Sequence, residues 1–127
     1  MSDSFSITHT ITSIPNIPFG TIASSVCGKT YTVSLVLIGD AKSRTLNHTY
    51  RNKDYATNVL AFPLSETSGE IFLNLRKAER EAKKFNHTVR EHIIFLFIHG
   101  LLHLKGFTHG SRMEGEEKKY MRRFKNK

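Results

Sequence analysis

The stretch HGLLHLKGFTH, residues 99–109, carries three histidines at the spacing of a helical metal site. On an α-helix with 3.6 residues per turn, His99 and His103 differ by ~40° and ~6 Å of rise, so both rings can reach one ion. Gly106 suits the left-handed end of such a helix and lets the chain turn back, so that His109 can supply a third nitrogen. Two helical histidines, a glycine and a third histidine also match the metzincin zinc pattern.

These three imidazoles predict a zinc site with one ion per chain. Three neutral nitrogen ligands leave one tetrahedral position for water, which is typical of catalytic zinc, whereas structural zinc has four protein ligands that usually include cysteines. A single histidine is more often a packed or solvated side chain, but the combined spacing favours metal binding. Imidazole accepts several divalent ions. We therefore predict His99, His103 and His109 as the ligands, with Zn²⁺ as the expected metal.

The other histidines lack this spacing. His92 lies on nearly the same helix face as His99, but seven residues correspond to ~10.5 Å of rise, too far to share the ion. We therefore predict His92 to be a pocket or core residue. His9, His48 and His87 show no ligand spacing and are predicted to be ordinary side chains.

Capping patterns mark the two C-terminal helices. TVRE (88–91) has the form of a capping box, and Gly106 follows the apolar run, which predicts a helix over 89–105. SRME (111–114) has the same form and predicts the start of a last helix. The apolar stripe of that helix is expected to face the core; it consists of Met113, Tyr120, Met121 and Phe124.

We expect the whole chain to form one α+β domain, 1–127: a small mixed sheet of about four strands packed with helices, including the metzincin-like zinc helix. Alternating or β-branched runs predict four strands, over residues 5–11, 31–38, 57–62 and 69–74. Further helices are predicted over residues 18–28, 40–50 and 75–85. Two residues are expected to set boundaries, Asp40 as a helix N-cap and Pro63 as the end of the third strand.

Composition limits the class of protein. A chain of 127 residues is long enough to bury a true core, and Cys27 is the only cysteine, so no intramolecular disulfide can form. MSDSFSITHT (1–10) has no basic region and no apolar stretch of signal-peptide length. The longest apolar run, Ile93–Ile98, is far short of the ~20 residues that cross a bilayer. We expect a soluble, cytoplasmic protein that does not use a membrane.

Positive charge is concentrated in parts of the chain. Nineteen Lys and Arg against eleven Asp and Glu give a formal net charge of +8. Basic stretches occupy residues 76–84 and 119–127, and further cations cluster at Lys42, Arg44, Arg51 and Lys53. Such a surface attracts phosphate backbones without reading their sequence. The charge therefore suggests a nucleic-acid partner, the alternative being a merely soluble basic surface.

Two long segments resemble one known family. HGLLHLKGFTH resembles the H-G-x-L-H-L-x-G-Y-D-H signature of the YbeY family of bacterial rRNA maturation factors, which are single-strand-specific metallo-endoribonucleases. LNHTYRNKDYATNVLAFP (46–63) is similar to that family's L-N-x-x-Y-R-x-K-D-x-x-T-D-V-L-S-F-P segment, and GEIFLN (69–74) to its G-D-I strand. The resemblance, over about 31–124, implies that the three histidines bind zinc and that Arg51 lines the active-site cleft.

This chain departs from the family pattern at three positions. Asn58 and Thr108 stand where the pattern has aspartates, and Glu70 stands where it has the aspartate of G-D-I. Glu70 keeps the carboxylate. The other two changes remove negative charge close to the predicted site, which affects any proton-transfer or ligand-orienting role of those positions.

Gly100, the residue after the first histidine, helps to distinguish between phosphodiester and amide cleavage. A zinc peptidase carries a glutamate directly after its first histidine and uses it as the base, whereas this chain has glycine there. Zinc held by three neutral ligands suits a phosphate oxygen, and Arg51 could stabilise the charge that grows on phosphorus, so phosphodiester cleavage is favoured over amide cleavage. Alternatively, Gly100 serves close helix packing without chemical meaning.

The leading hypothesis is a zinc-dependent, single-strand-specific endoribonuclease in rRNA maturation and ribosome quality control, with Arg51 and His99 as catalytic residues. Its expected partners are single-stranded RNA, ribosomal RNA and ribosomal particles. Two alternatives stay open: a zinc endopeptidase, and a non-enzymatic assembly factor that binds RNA or ribosomes and keeps the metal for structure.

Overall fold

A computed structural model of the chain describes residues 4–10 and 14–126. These residues form four strands and five α-helices. The strands are β1 (Phe5–His9), β2 (Thr32–Ile38), β3 (Val59–Ser65) and β4 (Ser68–Asn74). The helices are α1 (Phe19–Cys27), α2 (Asp40–Arg51), α3 (Leu75–Glu81), α4 (Val89–Leu104) and α5 (Ser111–Phe124), with a 3₁₀ turn at Ala82–Phe85 after α3.

The four strands form one mixed sheet in the order β1-β2-β4-β3. β1, β2 and β4 are parallel, and β3 pairs antiparallel with β4 at the edge. Parallel neighbours need crossover connections, and α1 and α2 lie on the two crossovers of this sheet. The α+β prediction with a small mixed sheet of about four strands is therefore confirmed.

Helix α4 is the centre of the core. Most of its residues are buried, and it packs against α1, α3, α5 and the sheet. Phe97 is fully buried and meets the ring of Phe19 edge to face, with centroids 5.1 Å apart. Because buried side chains are close-packed with little free volume, the core holds the backbone that carries the side chains of the last turn. No helix in residues 4–10 and 14–126 has the length and apolar character needed to cross a bilayer.

The predicted boundaries of α4 are confirmed. Thr88 Oγ1 accepts from the Glu91 backbone N–H at 3.1 Å, and the Glu91 carboxylate accepts from the Thr88 N–H at 2.8 Å. Gly106 follows the helix with φ +97°, a backbone conformation that favours glycine. The strand predicted over 5–11 is present through His9, and its last residue lies outside the described part of the chain.

Two capping predictions were wrong. Gly39, and not Asp40, is the N-cap of α2. The Asp40 carboxylate accepts instead from Arg80, at 2.8 and 2.9 Å, and from Asn74; these hydrogen bonds lower its pKa to about 2. At α5 the N-cap is Gly110 with φ +151°, without a side-chain cap, because Ser111 is already the first helical residue.

Pro63 does not end the third strand, contrary to the prediction. β3 continues to Ser65, and Pro63 lies opposite Gly69 of β4. A proline lacks the N–H that a central strand would need, but at a sheet edge that position can face solvent. The helix predicted over 75–85 also divides into α3 and the 3₁₀ turn, which ends where Asn86 adopts φ +57°.

Candidate metal centre

The structure brings the three predicted histidines together. His99 and His103 lie on the last turns of α4, and His109 lies in the loop before α5. One ring nitrogen from each side chain lies within 4.8 Å of the others, and the Nε2 atoms of His99 and His103 are 3.1 Å apart. In residues 4–10 and 14–126 this is the one His, Cys, Asp or Glu group placed to hold a metal ion.

Hydrogen bonds fix the orientation of two of these rings. His103 Nδ1 lies 3.0 Å from the carbonyl oxygen of Phe107, which can only accept, so Nδ1 must carry the proton. His99 Nδ1 lies 2.5 Å from a carboxylate oxygen of Glu117 and donates to it in the same way. Each neutral ring therefore has its lone pair on Nε2.

At 3.1 Å the two Nε2 atoms are close enough to share one cation, either a proton or a metal ion. Burial, followed by the nearby His99, lowers the pKa of His103 and favours its neutral form. Neutral imidazole is the form that binds a metal, and donation from Nδ1 to a carbonyl or carboxylate is the usual support of such a ligand. The residues present thus fit a divalent cation with nitrogen ligands.

Glu117 was missed by the sequence analysis. It is a largely buried carboxylate on α5, four residues after Met113 and three before Tyr120, which are both buried. The signal was present in the sequence, since this spacing places a carboxylate inside the apolar stripe of the helix. Buried carboxylates are rare unless they are paired. Its partner, His99, could be identified only from the packing of α5 on α4.

Gly100 packs directly against the sheet. A Cβ atom at this position would lie 3.3 Å from Ile71 Cδ1 on β4 and 3.3 Å from Val59 Cγ2 on β3. These distances are tighter than most contacts of a Cβ atom, so the two side chains would have to shift by a few tenths of an ångström for any larger residue. Gly100 therefore has a packing role, and the same contacts disfavour a glutamate at this position.

Arg51 lies in the same cleft as the histidines. A cleft of about 550 Å³ is lined by Arg51 and by His99, His103 and His109. Arg51 is the last residue of α2 and is exposed; the next residue, Asn52, adopts a left-handed conformation that ends the helix. Within the described part of the chain its guanidinium forms no ion pair. The structure thus places a cation and the three predicted ligands around one open space.

Asn58 also lines this cleft, and its hydrogen-bond partner Glu81 explains why an amide fits at this position. Asn58 Nδ2 donates to Glu81 Oε1 at 3.1 Å, and the same oxygen accepts from His92 Nε2 at 3.2 Å. An aspartate at position 58 would place two carboxylates side by side, whereas the amide is complementary to Glu81. His92 is fully buried, which confirms that it is a core residue. Thr108 is exposed and lines a different cavity, beside Lys105 and Arg112.

Fold and site together define a small α+β protein in which the central helix and the loop after it bring three histidines together beside an open cleft. The family model described as Endoribonuclease YbeY matches residues 7–127. This chain therefore belongs to the YbeY family, and the resemblance drawn from residues 46–63 and 99–109 is confirmed.

Individual relatives agree with this assignment. The Endoribonuclease YbeY of Alkaliphilus oremlandii is 40% identical, over 62% of this chain and 59% of that protein. The protein of the same name from Helicobacter pylori is 38% identical, over 75% of this chain and 70% of that protein. The solution structure of TM1509 from Thermotoga maritima superposes with a TM-score of 0.66 at 27% identity, covering 92% of this chain and 86% of the other. The chain spans about three fifths of the length of several curated relatives.

Proposed function

We propose that residues 1–127 form one metal-dependent hydrolase domain, a zinc-dependent endoribonuclease that cleaves single-stranded RNA. The observation that carries this proposal is the pair of Nε2 atoms of His99 and His103, 3.1 Å apart and close to His109, in a cleft that also contains Arg51. A nitrogen-only ligand set suits zinc. The Endoribonuclease YbeY name of the family and of the relatives supports an RNA substrate.

Each residue of the cleft has a proposed task. His99, His103 and His109 hold the ion, and Glu117 and the Phe107 carbonyl keep the first two rings in the ligand tautomer. When bound, zinc supplies Lewis acidity, which lowers the pKa of water to ~7 and offsets the charge of a phosphate oxygen. Arg51 presents a planar guanidinium, which can bind two phosphate oxygens at once and stabilise the charge that develops on them.

The net charge of the chain and its membership of the YbeY family indicate the substrate class. A formal net charge of +8 favours a polyanion and gives affinity that falls with salt. We propose ribosomal RNA and ribosomal particles as the partners, with a role in rRNA maturation and ribosome quality control in the cytoplasm. Gly100 supports this choice over a zinc endopeptidase, because the chain has glycine where a zinc peptidase carries its catalytic glutamate, and Ile71 and Val59 crowd any side chain there.

The zinc-loaded chain should cut single-stranded RNA and leave both duplex RNA and unfolded casein intact. A chelator should stop the cleavage, and added zinc should restore it. Gel analysis of the three substrates at equal enzyme concentration measures this. Chelator-sensitive proteolysis would establish the endopeptidase instead, and RNA binding without cleavage would establish the non-enzymatic assembly factor.

Glu117→Ala should lower zinc affinity by ~10–100-fold, the usual effect of losing a carboxylate that orients a metal-bound histidine. Glu117→Gln should lose less, because its amide oxygen can still accept from His99 Nδ1. Competition with a chromophoric chelator measures both affinities. Glu116→Gln is the matched control, since Glu116 pairs with Lys119 on the same helix and is not part of the centre. Unchanged affinity in Glu117→Ala would remove Glu117 from the site.

A further inference from the structure

A second cavity meets the metal centre without Arg51. Its volume is about 260 Å³, and it shares Asn58, His99 and His109 with the larger cleft. In place of the arginine it contains the rings of Phe85 and Phe95. The two spaces around the histidines therefore differ in chemistry, one being cationic and the other aromatic.

Phe85 is an exposed ring held in a fixed position. It ends the 3₁₀ turn, and about half of its surface, 51%, is open to solvent. It stacks on the buried His92 ring with centroids 4.8 Å apart and an interplanar angle of 29°, and Phe95 lies 6.2 Å away. His92 is itself held by Glu81 and by His87 Nδ1 at 3.1 Å. A rigid aromatic surface with an exposed side therefore borders the cavity.

The charged side chains that line this second cavity favour binding of a nucleobase ring over binding of a phosphate. Glu114 and Glu117 both line it, and their carboxylates repel a phosphate group. A carboxylate such as that of Glu114 can instead accept a hydrogen bond from the exocyclic amino group of a base. An aromatic wall beside a hydrogen-bond acceptor thus matches a nucleobase.

A third cavity of about 470 Å³ shares Phe95, Glu114 and Glu117 with the second and adds Glu91, Lys118 and Lys125. Three carboxylates face two ammonium groups there, so this space has no excess of positive charge for a phosphate. The cation beside the histidines is Arg51, in the larger cleft. A phosphate is therefore expected on the Arg51 side of the histidines and a base on the aromatic side.

We propose that Phe85 is the stacking platform for one unpaired base next to the phosphate that is cleaved. The inference rests on the proposed ribonuclease function and names how its substrate is held. Stacking needs a base that has left its helix, so the platform would also explain a preference for single strands.

The test uses zinc-loaded full chain and short single-stranded RNA that carries 2-aminopurine, whose fluorescence is quenched by stacking. Phe85→Ala should raise KM and weaken binding by roughly 5- to 150-fold, the range for loss of one base–aromatic stack. Phe85→Tyr should retain binding. Phe85→Leu, which keeps apolar volume against His92, should lose the quenching as Phe85→Ala does. Leu64→Ala removes another exposed apolar side chain, on β3, and should change nothing.

The possible results test the Phe85 stacking proposal and the ribonuclease proposal separately. Unchanged KM and quenching in Phe85→Ala and Phe85→Leu, with cleavage still sensitive to chelator, would overturn the platform and leave the nuclease. An abasic site beside the cleaved phosphate should weaken wild-type binding but not Phe85→Ala; equal weakening in both would also overturn it. If wild type binds but does not cleave, the ribonuclease proposal fails. Quenching that is lost in both Phe85→Ala and Phe85→Leu, but kept in Phe85→Tyr and Leu64→Ala, would still establish the base site.

Discussion

His103→Ala should abolish both high-affinity zinc binding and RNA cleavage. The substitution removes one of three ligands and leaves the Phe107 carbonyl without its donor. Loss of a partner that only orients a ligand costs ~10–100-fold in metal affinity, so loss of the ligand itself should exceed that range. Elemental analysis of purified protein should show close to one zinc per chain in the wild type and little in the variant.

The matched control for His103→Ala is His48→Ala. His48 is an exposed histidine on α2, outside the three-histidine group, so its loss should leave zinc content and cleavage unchanged. A thermal melt of metal-free protein separates loss of the ion from loss of the fold, because metal-free wild type and His103→Ala should then unfold at similar temperatures. Equal zinc loss in the two variants would contradict the ligand assignment.

Local geometry explains why the clustering of the three histidines could be predicted from the sequence. The Thr88–Glu91 capping box sets the start of α4, and helix periodicity then places His99 and His103 on one face without any long-range information. Gly106 acts through its own backbone conformation, which the sequence also indicates. Because the cluster is built mainly from one helix and the turn that follows, a short stretch of sequence is enough to predict it.

Long-range partners explain the errors. Asp40 has the chemistry of an N-cap, but Arg80, forty residues away, binds its carboxylate in the folded chain. Pro63 could be placed in a strand only once β3 was known to lie at the sheet edge. Glu81 and Glu117 reach the centre through helix packing, and no sequence spacing links them to position 58 or to His99.

Arg51 shows both what the sequence can predict about the site and what it cannot. The resemblance over residues 46–63 indicates a role in the cleft, and the structure places the end of α2 beside the histidines. The sequence does not give this proximity, since Arg51 and His99 are 48 positions apart. The role of the guanidinium can be tested by comparing how an Arg51 substitution changes RNA cleavage with how it changes RNA binding.

Arg51→Ala should lower the cleavage rate by about 10²–10³-fold, by analogy with the loss of one hydrogen-bond donor that stabilises a developing negative charge. RNA affinity should fall much less, because many cations share the phosphate contacts of a chain with a formal net charge of +8. Arg51→Lys should recover only part of the rate, since an ammonium cannot reproduce the planar two-pronged contact with phosphate. Single-turnover cleavage and equilibrium binding measure the two effects separately.

The control for Arg51→Ala is Arg44→Ala, which removes the same charge from the same helix. Arg44 pairs with Asp54 at 2.9 Å, both side chains are exposed, and Arg44 is not among the residues that line the cleft of the three histidines. Zinc content should be unchanged in both variants, because neither side chain belongs to the three-histidine centre. If Arg51→Ala weakened binding and cleavage by the same factor, or if Arg44→Ala slowed cleavage equally, Arg51 would belong to a general RNA-holding surface. A loss confined to the cleavage rate, with zinc and RNA still bound, places the guanidinium on the reacting phosphate.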